Sequence, residues 1–210
     1  MSNQKMNSIF GTPIALVEIE ENTDILQSST VGFNPTYNQP ELWRSSSVSE
    51  NMRVLESYPQ IKKILLDTFI SFSSEILGLN CNFEIITSWL TKCEKGESCP
   101  FHLHGNSFWS GIYYYGETYC ESSLLVFENP LIHHIRDYGF SVYPEVATPY
   151  NKIEEKIMPN KNMLVLFPSY LKHKILTHES NIPRYSLAFN IVPIGHYGVG
   201  DSQYNTKWIT

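Results

Sequence analysis

Phe101-His102-Leu103-His104-Gly105-Asn106-Ser107, running into Phe108-Trp109-Ser110-Gly111-Ile112-Tyr113-Tyr114-Tyr115, is the stretch that opens the rest of the chain to reading. Two histidines two apart on an extended segment point to the same face, because side chains alternate with period 2 along a strand. A third histidine, His173, follows the strongly apolar run Met163-Leu164-Val165-Leu166-Phe167, which Pro168 ends. Further on stands Arg184-Tyr185-Ser186, where arginine and serine again share one face. That order predicts a metal held inside a small β-barrel, with a carboxylate-bearing cosubstrate clamped beside it.

Working outward, other short runs read as strands. They are Phe83 to Leu90, Phe108 to Tyr115, Leu124 to Phe127, Met163 to Phe167 and Tyr185 to Val192, with an opening strand in Ser8 to Ile19. Several short strands separated by turn signals argue for a sandwich or jelly roll. One helix is expected from about Tyr58 to Leu77. Its apolar stripe is Ile61, Leu65, Phe69, Phe72 and Ile76, with Pro59 near the first turn and Gly78 past the end. Such a stripe buttresses a sheet. The stretch from Asn22 to Ser47 reads as surface chain with one short helix near Thr23 to Ser28, and Leu131 to Asn162 as a polar insert able to act as a lid. No repeat and no internal boundary divides the chain, so residues 1–210 are expected to form one mainly β domain with flanking helices.

Composition bounds the function. The chain has 210 residues, 42% hydrophobic and 13% aromatic, enough for a sizeable core. A formal net charge of −6 and the lack of a Lys/Arg run argue against binding along a phosphate backbone. Cys81, Cys93, Cys99 and Cys120 show no CxxC spacing, the opening residues lack the apolar core of a signal peptide, and no apolar stretch is long enough to span a bilayer. The expectation is free thiols in a reducing cytoplasm and no membrane. A zinc site from Cys93, Cys99 and nearby histidines is the lesser alternative.

The chemistry rests on residue types in order. Ferrous oxygenase sites use a facial ligand set, commonly two histidines and a carboxylate, leaving positions open for oxygen and a bidentate organic acid. His102 and His173 fit the two imidazoles. Two residues after the first histidine, where the carboxylate usually stands, this chain has His104. Arg184 offers a planar fork of donors and Ser186 a hydroxyl, a pair suited to the distal carboxylate of a dicarboxylic acid such as 2-oxoglutarate. His133, His134, His178 and His196 lie in loop-like surroundings and are left outside the site.

At these residues the sequence resembles the 2-oxoglutarate and Fe(II)-dependent oxygenases. Val165 to His173 followed by Arg184 to Asn190 is similar to the closing half of that family. His102 to Ser107, Ser110 to Tyr114, Phe127-Glu128-Asn129-Pro130 and the opening Ile9 to Ile14 resemble its front half. The resemblance implies a double-stranded β-helix (a jelly roll, cupin-like), with Fe(II) on His102 and His173. It implies 2-oxoglutarate held by Arg184 and Ser186, with Tyr114 beside them; Tyr113 takes that place if the register is shifted by one. The implied reaction couples decarboxylation of 2-oxoglutarate to oxidation, by default hydroxylation, of a protein side chain or a small metabolite. His104 departs from the general pattern: the third ligand is His104, Glu128 or water. Asn190 shares the face of Ser186, and its amide either reaches the metal region or is structural. Two other readings stay open, a three-histidine cupin-type dioxygenase without 2-oxoglutarate and a non-catalytic jelly-roll module. Substrate and oligomeric state are not legible.

Overall fold

The computed structural model describes residues 11–20, 26, 33–35, 44–116, 122–131 and 145–206. In chain order the elements are β1 (Ala15–Glu18), β2 (Phe33–Pro35), β3 (Arg44–Ser45), β4 (Ser47–Ser49), α1 (Pro59–Glu75), β5 (Asn82–Cys93), β6 (Glu97–His102) and β7 (Trp109–Tyr114). There follow β8 (Leu125–Glu128), β9 (Glu154–Ile157), β10 (Met163–Pro168), β11 (His173–Ile175), β12 (Arg184–Tyr197) and β13 (Tyr204–Thr206). The larger sheet runs β1-β10-β7-β12-β5-β4-β2, with β13 added to the end of β12, and the smaller runs β3-β6-β11-β8-β9. Among the strand pairs of the described residues, only β3 with β6 is parallel. The two sheets form the expected jelly roll, with α1 outside.

The alternation of the large sheet feeds two cores. Leu187, Phe189 and Ile191 on β12, Trp109 and Tyr113 on β7, and Leu164 and Leu166 on β10 face outward and pack with Ile61, Leu65 and Phe69 of α1. The intervening Ile112, Tyr114, Val165 and Phe167 point between the sheets and meet Leu125, Phe127 and Ile175 of the small one. Burial on both faces explains why Met163 to Phe167 is a continuous apolar run rather than an alternating one. Gly111 sits where β7 meets the Phe189 ring: a Cβ there would lie 2.2 Å from a ring carbon. Only glycine allows that approach.

The helix follows its stripe, with one correction. Ile61, Leu65 and Phe69 are buried and Phe72 is half-buried, whereas Ile76 caps the helix end and is 66% exposed. The chain turns away there, reaching Gly78 at φ +66°, so the last position of the stripe finds no sheet beneath it. Phe69 meets Phe83 edge to face with centroids 4.9 Å apart, and Phe72 meets Trp109 at 5.3 Å. Contacts of this kind make a buried phenylalanine worth roughly 3–5 kcal/mol on truncation.

Two stretches expected to be loop contain strands. β2, β3 and the start of β4 lie within or beside Asn22 to Ser47, and β9 lies inside Leu131 to Asn162, pairing β8 from Leu125↔Ile157 to Glu128↔Glu154. These strands are two to four residues long and lack a sustained apolar alternation, so a neighbour's open edge holds them. The start of the opening strand, the helix near Thr23 to Ser28 (Leu26 apart) and the lid segment 132–144 lie outside the described residues.

Candidate metal and cosubstrate site

The three histidines converge. One ring nitrogen from each of His102, His104 and His173 lies within 4.8 Å of the other two. β6 ends on His102 and β11 begins on His173, and the two are directly paired across the small sheet. His104 follows in extended chain: Phe101 and Leu103 are exposed while the two histidines turn inward, as period-2 alternation requires. Nε2 of His104 stands 3.3 Å from Nε2 of His173, with the rings nearly parallel at 4°.

Neighbours set which nitrogen each ring presents. Nδ1 of His102 donates to the Pro100 carbonyl at 2.9 Å, and Nδ1 of His173 donates to the Leu171 carbonyl at 3.0 Å. Both leave Nε2 with a free lone pair toward the common centre, the usual arrangement around a metal-binding imidazole. Burial, with the nearby His102 ring second, pushes His173 down to about 3 and His104 to about 4. Both are therefore neutral near pH 7, the form that ligates. Trp89 stacks against His104 at 5.6 Å, and Phe167 packs edge-on against His173 at 4.7 Å.

The same cavity, about 270 Å³, is lined by the three histidines and also by Arg184 and Ser186. Arg184 and Ser186 open β12 and pair with Cys93 and Thr91 of β5; Ser186 also pairs with Tyr114 of β7. Arg184 is 2% exposed, yet its side chain makes only a long 3.4 Å contact from Nη1 to the Ser123 carbonyl, and Nε has no hydrogen-bond partner among the described residues. No carboxylate among them pairs with it. The guanidinium carbon lies 5.7 Å from the Tyr114 ring centre, and burial pushes that phenol up to about 12.

Each expected site residue can now be placed. His102, His104, His173, Arg184 and Ser186 share the cavity, and Tyr114 is buried on the inward face beside Ser186 and Arg184. Tyr113 faces the outer core and donates its hydroxyl to Asn162 at 3.2 Å, so the one-residue shift is not the register found. Glu128 alternates away from Phe127 and His173 to an ion pair with Lys172 at 3.6 Å, and it stands outside the metal-binding group. Among the described residues Cys81, Cys93 and Cys99 form no disulfide and no cysteine belongs to the metal-binding group; Cys99 Sγ lies 3.6 Å from Nδ1 of His102. Cys120, His133 and His134 lie outside the described residues. His178 is fully buried and structural: Nε2 donates to the Ile182 carbonyl at 2.7 Å and Nδ1 meets the Ser123 hydroxyl.

A partly buried polar chain lies beside the histidines, running from Ser107 to Ser169 (2.9 Å), Ser110 (2.8 Å) and Asn190 (3.0 Å), then to Thr87 (3.0 Å). Of these the sequence reading singled out only Asn190; the serines and Thr87 carry no periodic signal that would have marked them.

Comparison with known proteins bears on the family and the fold. The sequence model of the family described as "Putative 2OG-Fe(II) oxygenase" matches residues 87–190, which hold all three histidines, Arg184 and Ser186. Among solved structures, an oxidoreductase of the 2OG-Fe(II) oxygenase family from Burkholderia pseudomallei aligns at 12% identity over 80% of this chain and 74% of that one, TM-score 0.54. A prolyl-4-hydroxylase from Pseudomonas putida aligns at 14% identity over 85% and 92%, TM-score 0.53. HygX from Streptomyces hygroscopicus, solved with nickel and 2-oxoglutarate bound, aligns at 10% over 87% and 83%, TM-score 0.56. At these identities the structural likeness is one of fold. No curated protein matches the sequence. The chain carries the sequence of the 2OG-Fe(II) oxygenase family over residues 87–190. It is accordingly an oxygenase that uses Fe(II) and takes 2-oxoglutarate as cosubstrate with a further substrate. No helix among the described residues is long and apolar enough to cross a membrane.

Proposed function

We propose that His102, His104 and His173 are the protein ligands of Fe(II), and that Arg184 and Ser186, with Tyr114 beside them, hold the distal carboxylate of 2-oxoglutarate. One observation carries this reading: a fully buried guanidinium with no carboxylate partner among the described residues shares a small cavity with three converging imidazoles. Burying an uncompensated charge costs several kcal/mol, so the site is built for an anion supplied from outside. The donor set fits the metal, since imidazole suits ferrous iron and three ligands on one side leave positions open.

The metal, when bound, would supply the oxygen chemistry: dioxygen is the oxidant, one of its atoms entering succinate as 2-oxoglutarate loses carbon dioxide and the other entering the substrate as a hydroxyl. The residues of this chain bind and orient. Arg184 and Ser186 fix the far end of the dicarboxylate, which aims its keto-acid end at the histidines. Phe167, Ile112 and Ile175 keep that path apolar. Val48, Met52 and Trp89 form the remaining wall, and Met52 is 47% exposed, so the substrate reaches the metal from this side. A protein side chain or a small metabolite fits this access. The whole chain, 1–210, acts as one jelly-roll domain, and its free thiols suit the cytoplasm.

The test is succinate release by anaerobically iron-loaded protein on admitting oxygen, with and without 2-oxoglutarate. Turnover of 2-oxoglutarate lost in both His173→Ala and Arg184→Ala supports the assignment. Succinate formation undiminished in Arg184→Ala removes the clamp from it.

A further inference from the structure

Two of the three histidines have their rings fixed by backbone. Nδ1 of His102 donates to the Pro100 carbonyl, Nδ1 of His173 donates to the Leu171 carbonyl, and the two residues pair across the small sheet. His104 stands two residues past the end of β6, and the chain turns soon after it, with Asn106 at φ +58°. Its backbone N–H donates to the Ser169 carbonyl at 3.0 Å. Holding the backbone does not hold the ring, because the torsion that spins an imidazole about its Cβ–Cγ bond is broad. The lone pair of Nε2 lies in the ring plane, so that spin decides where it points. Flat neighbours set it. The indole of Trp89 stacks on the His104 ring with centroids 5.6 Å and planes 22° apart, and Phe167 closes edge-on at 6.5 Å. Trp89 reaches this place from β5, where alternation sends the adjoining Leu90 to the outer core and turns the indole inward. It pairs there with Ala188 of β12, whose side chain is a single methyl, and both residues line the metal cavity.

We infer that Trp89 is a positioning residue for His104: the face of its indole fixes the rotation of that imidazole and so aims Nε2 at the metal. The inference rests on the reading of His104 as the third ligand. Stacked rings at this separation contribute beyond their burial, enough to change an equilibrium by about 2–10-fold. A ligand standing outside the strands gains from such support, since a ring already in its binding orientation loses less freedom when the metal arrives.

The test uses the full-length protein and Co(II) as probe, reading its dissociation constant by competition, with metal-free melting to confirm each fold. Trp89→Leu removes the flat face and should weaken Co(II) binding by about 2–10-fold. Trp89→Phe keeps a flat ring and should recover most of that loss. A double-mutant cycle separates positioning from packing. In His104→Ala, where there is no ring to aim, Trp89→Leu should cost no further affinity, whereas a general loosening of the cavity would move both backgrounds alike. If Trp89→Leu does not fold, Trp89→Met, long and flexible with no flat face, takes its place in the same cycle. Parental affinity in Trp89→Leu, an equal loss in both backgrounds, or Trp89→Phe as weak as Trp89→Leu overturns the positioning role alone. Unchanged Co(II) binding in His104→Ala overturns the ligand assignment, and this inference with it.

Discussion

Replacing Arg184 by methionine tests the site with two signs at once. The guanidinium is 2% exposed, and its one hydrogen bond among the described residues is the 3.4 Å contact to Ser123. Exchanging a buried charge for an apolar side chain of similar volume is often neutral or stabilising by about 1–4 kcal/mol. For a chain of this length each kcal/mol moves the melting temperature by about 2–4 °C. Arg184→Met should therefore melt no lower than the parent without 2-oxoglutarate. With 2-oxoglutarate the sign reverses. At a hundred times its dissociation constant a ligand adds about 2.7 kcal/mol, or about 5–11 °C for the parent. Losing one partner of a buried, hydrogen-bonded charge pair costs about 2–5 kcal/mol. At about 1.4 kcal/mol per decade, that raises the dissociation constant at least roughly 30-fold. At the same ligand concentration the variant then gains less than about 1 kcal/mol. The assay is thermal melting of anaerobic, Ni(II)-loaded protein across a 2-oxoglutarate titration. A full cosubstrate shift in Arg184→Met would refute the clamp. A cosubstrate-free melting point lower by more than about 4 °C would show that Arg184 is there for the fold.

Three further predictions concern the frame around the site. Gly111→Ala drives a methyl into the Phe189 ring and should cost about 1–3 kcal/mol or more by overpacking; Phe189→Leu in the same chain should recover part of the loss, as melting of the single and double variants will show. Glu128→Gln should leave metal affinity unchanged and stability within about 0.5 kcal/mol, because that carboxylate faces Lys172 at the surface; a tenfold loss of Co(II) affinity would return Glu128 to the metal. Chelating the metal should lower the melting temperature of the parent but not of His173→Ala, since a ligand stabilises only a fold that binds it, and an equal drop in both would place the ion elsewhere.

Much of this was legible in the sequence because it depends on period. Alternation put His102 with His104 and Arg184 with Ser186, the 3.6-residue stripe located α1, and apolar runs marked β7, β10 and β12. The parts that stayed hidden have no period to show. β6 carries Pro100 in its middle and no apolar alternation, and β11 is three residues long, so pairing rather than composition makes them strands. β12 continues through Pro193 and Gly195 to Tyr197 because β5 and then β13 supply partners there. The serines at 107, 110 and 169 converge from three separate places in the chain, and contact of that kind exists only once the sheets close. His178 looked like a loop residue, and its burial follows from the two backbone bonds it makes with Glu97 and Gly96.

β12 has a bearing on how such a site can change over generations. Arg184, Ser186 and Asn190 ride on one uninterrupted strand, and the register of that strand against β5 shifts only between Asn190 and Ile191. A one-residue slip before the shift would turn all three outward together. A register slip of the segment Arg184 to Asn190 is therefore an all-or-nothing event for the enzyme, whereas the register beyond Ile191 can shift without touching it. The irregularity works as an expansion joint: the last third of the strand is free to diversify, and the part that holds the cosubstrate is inherited whole.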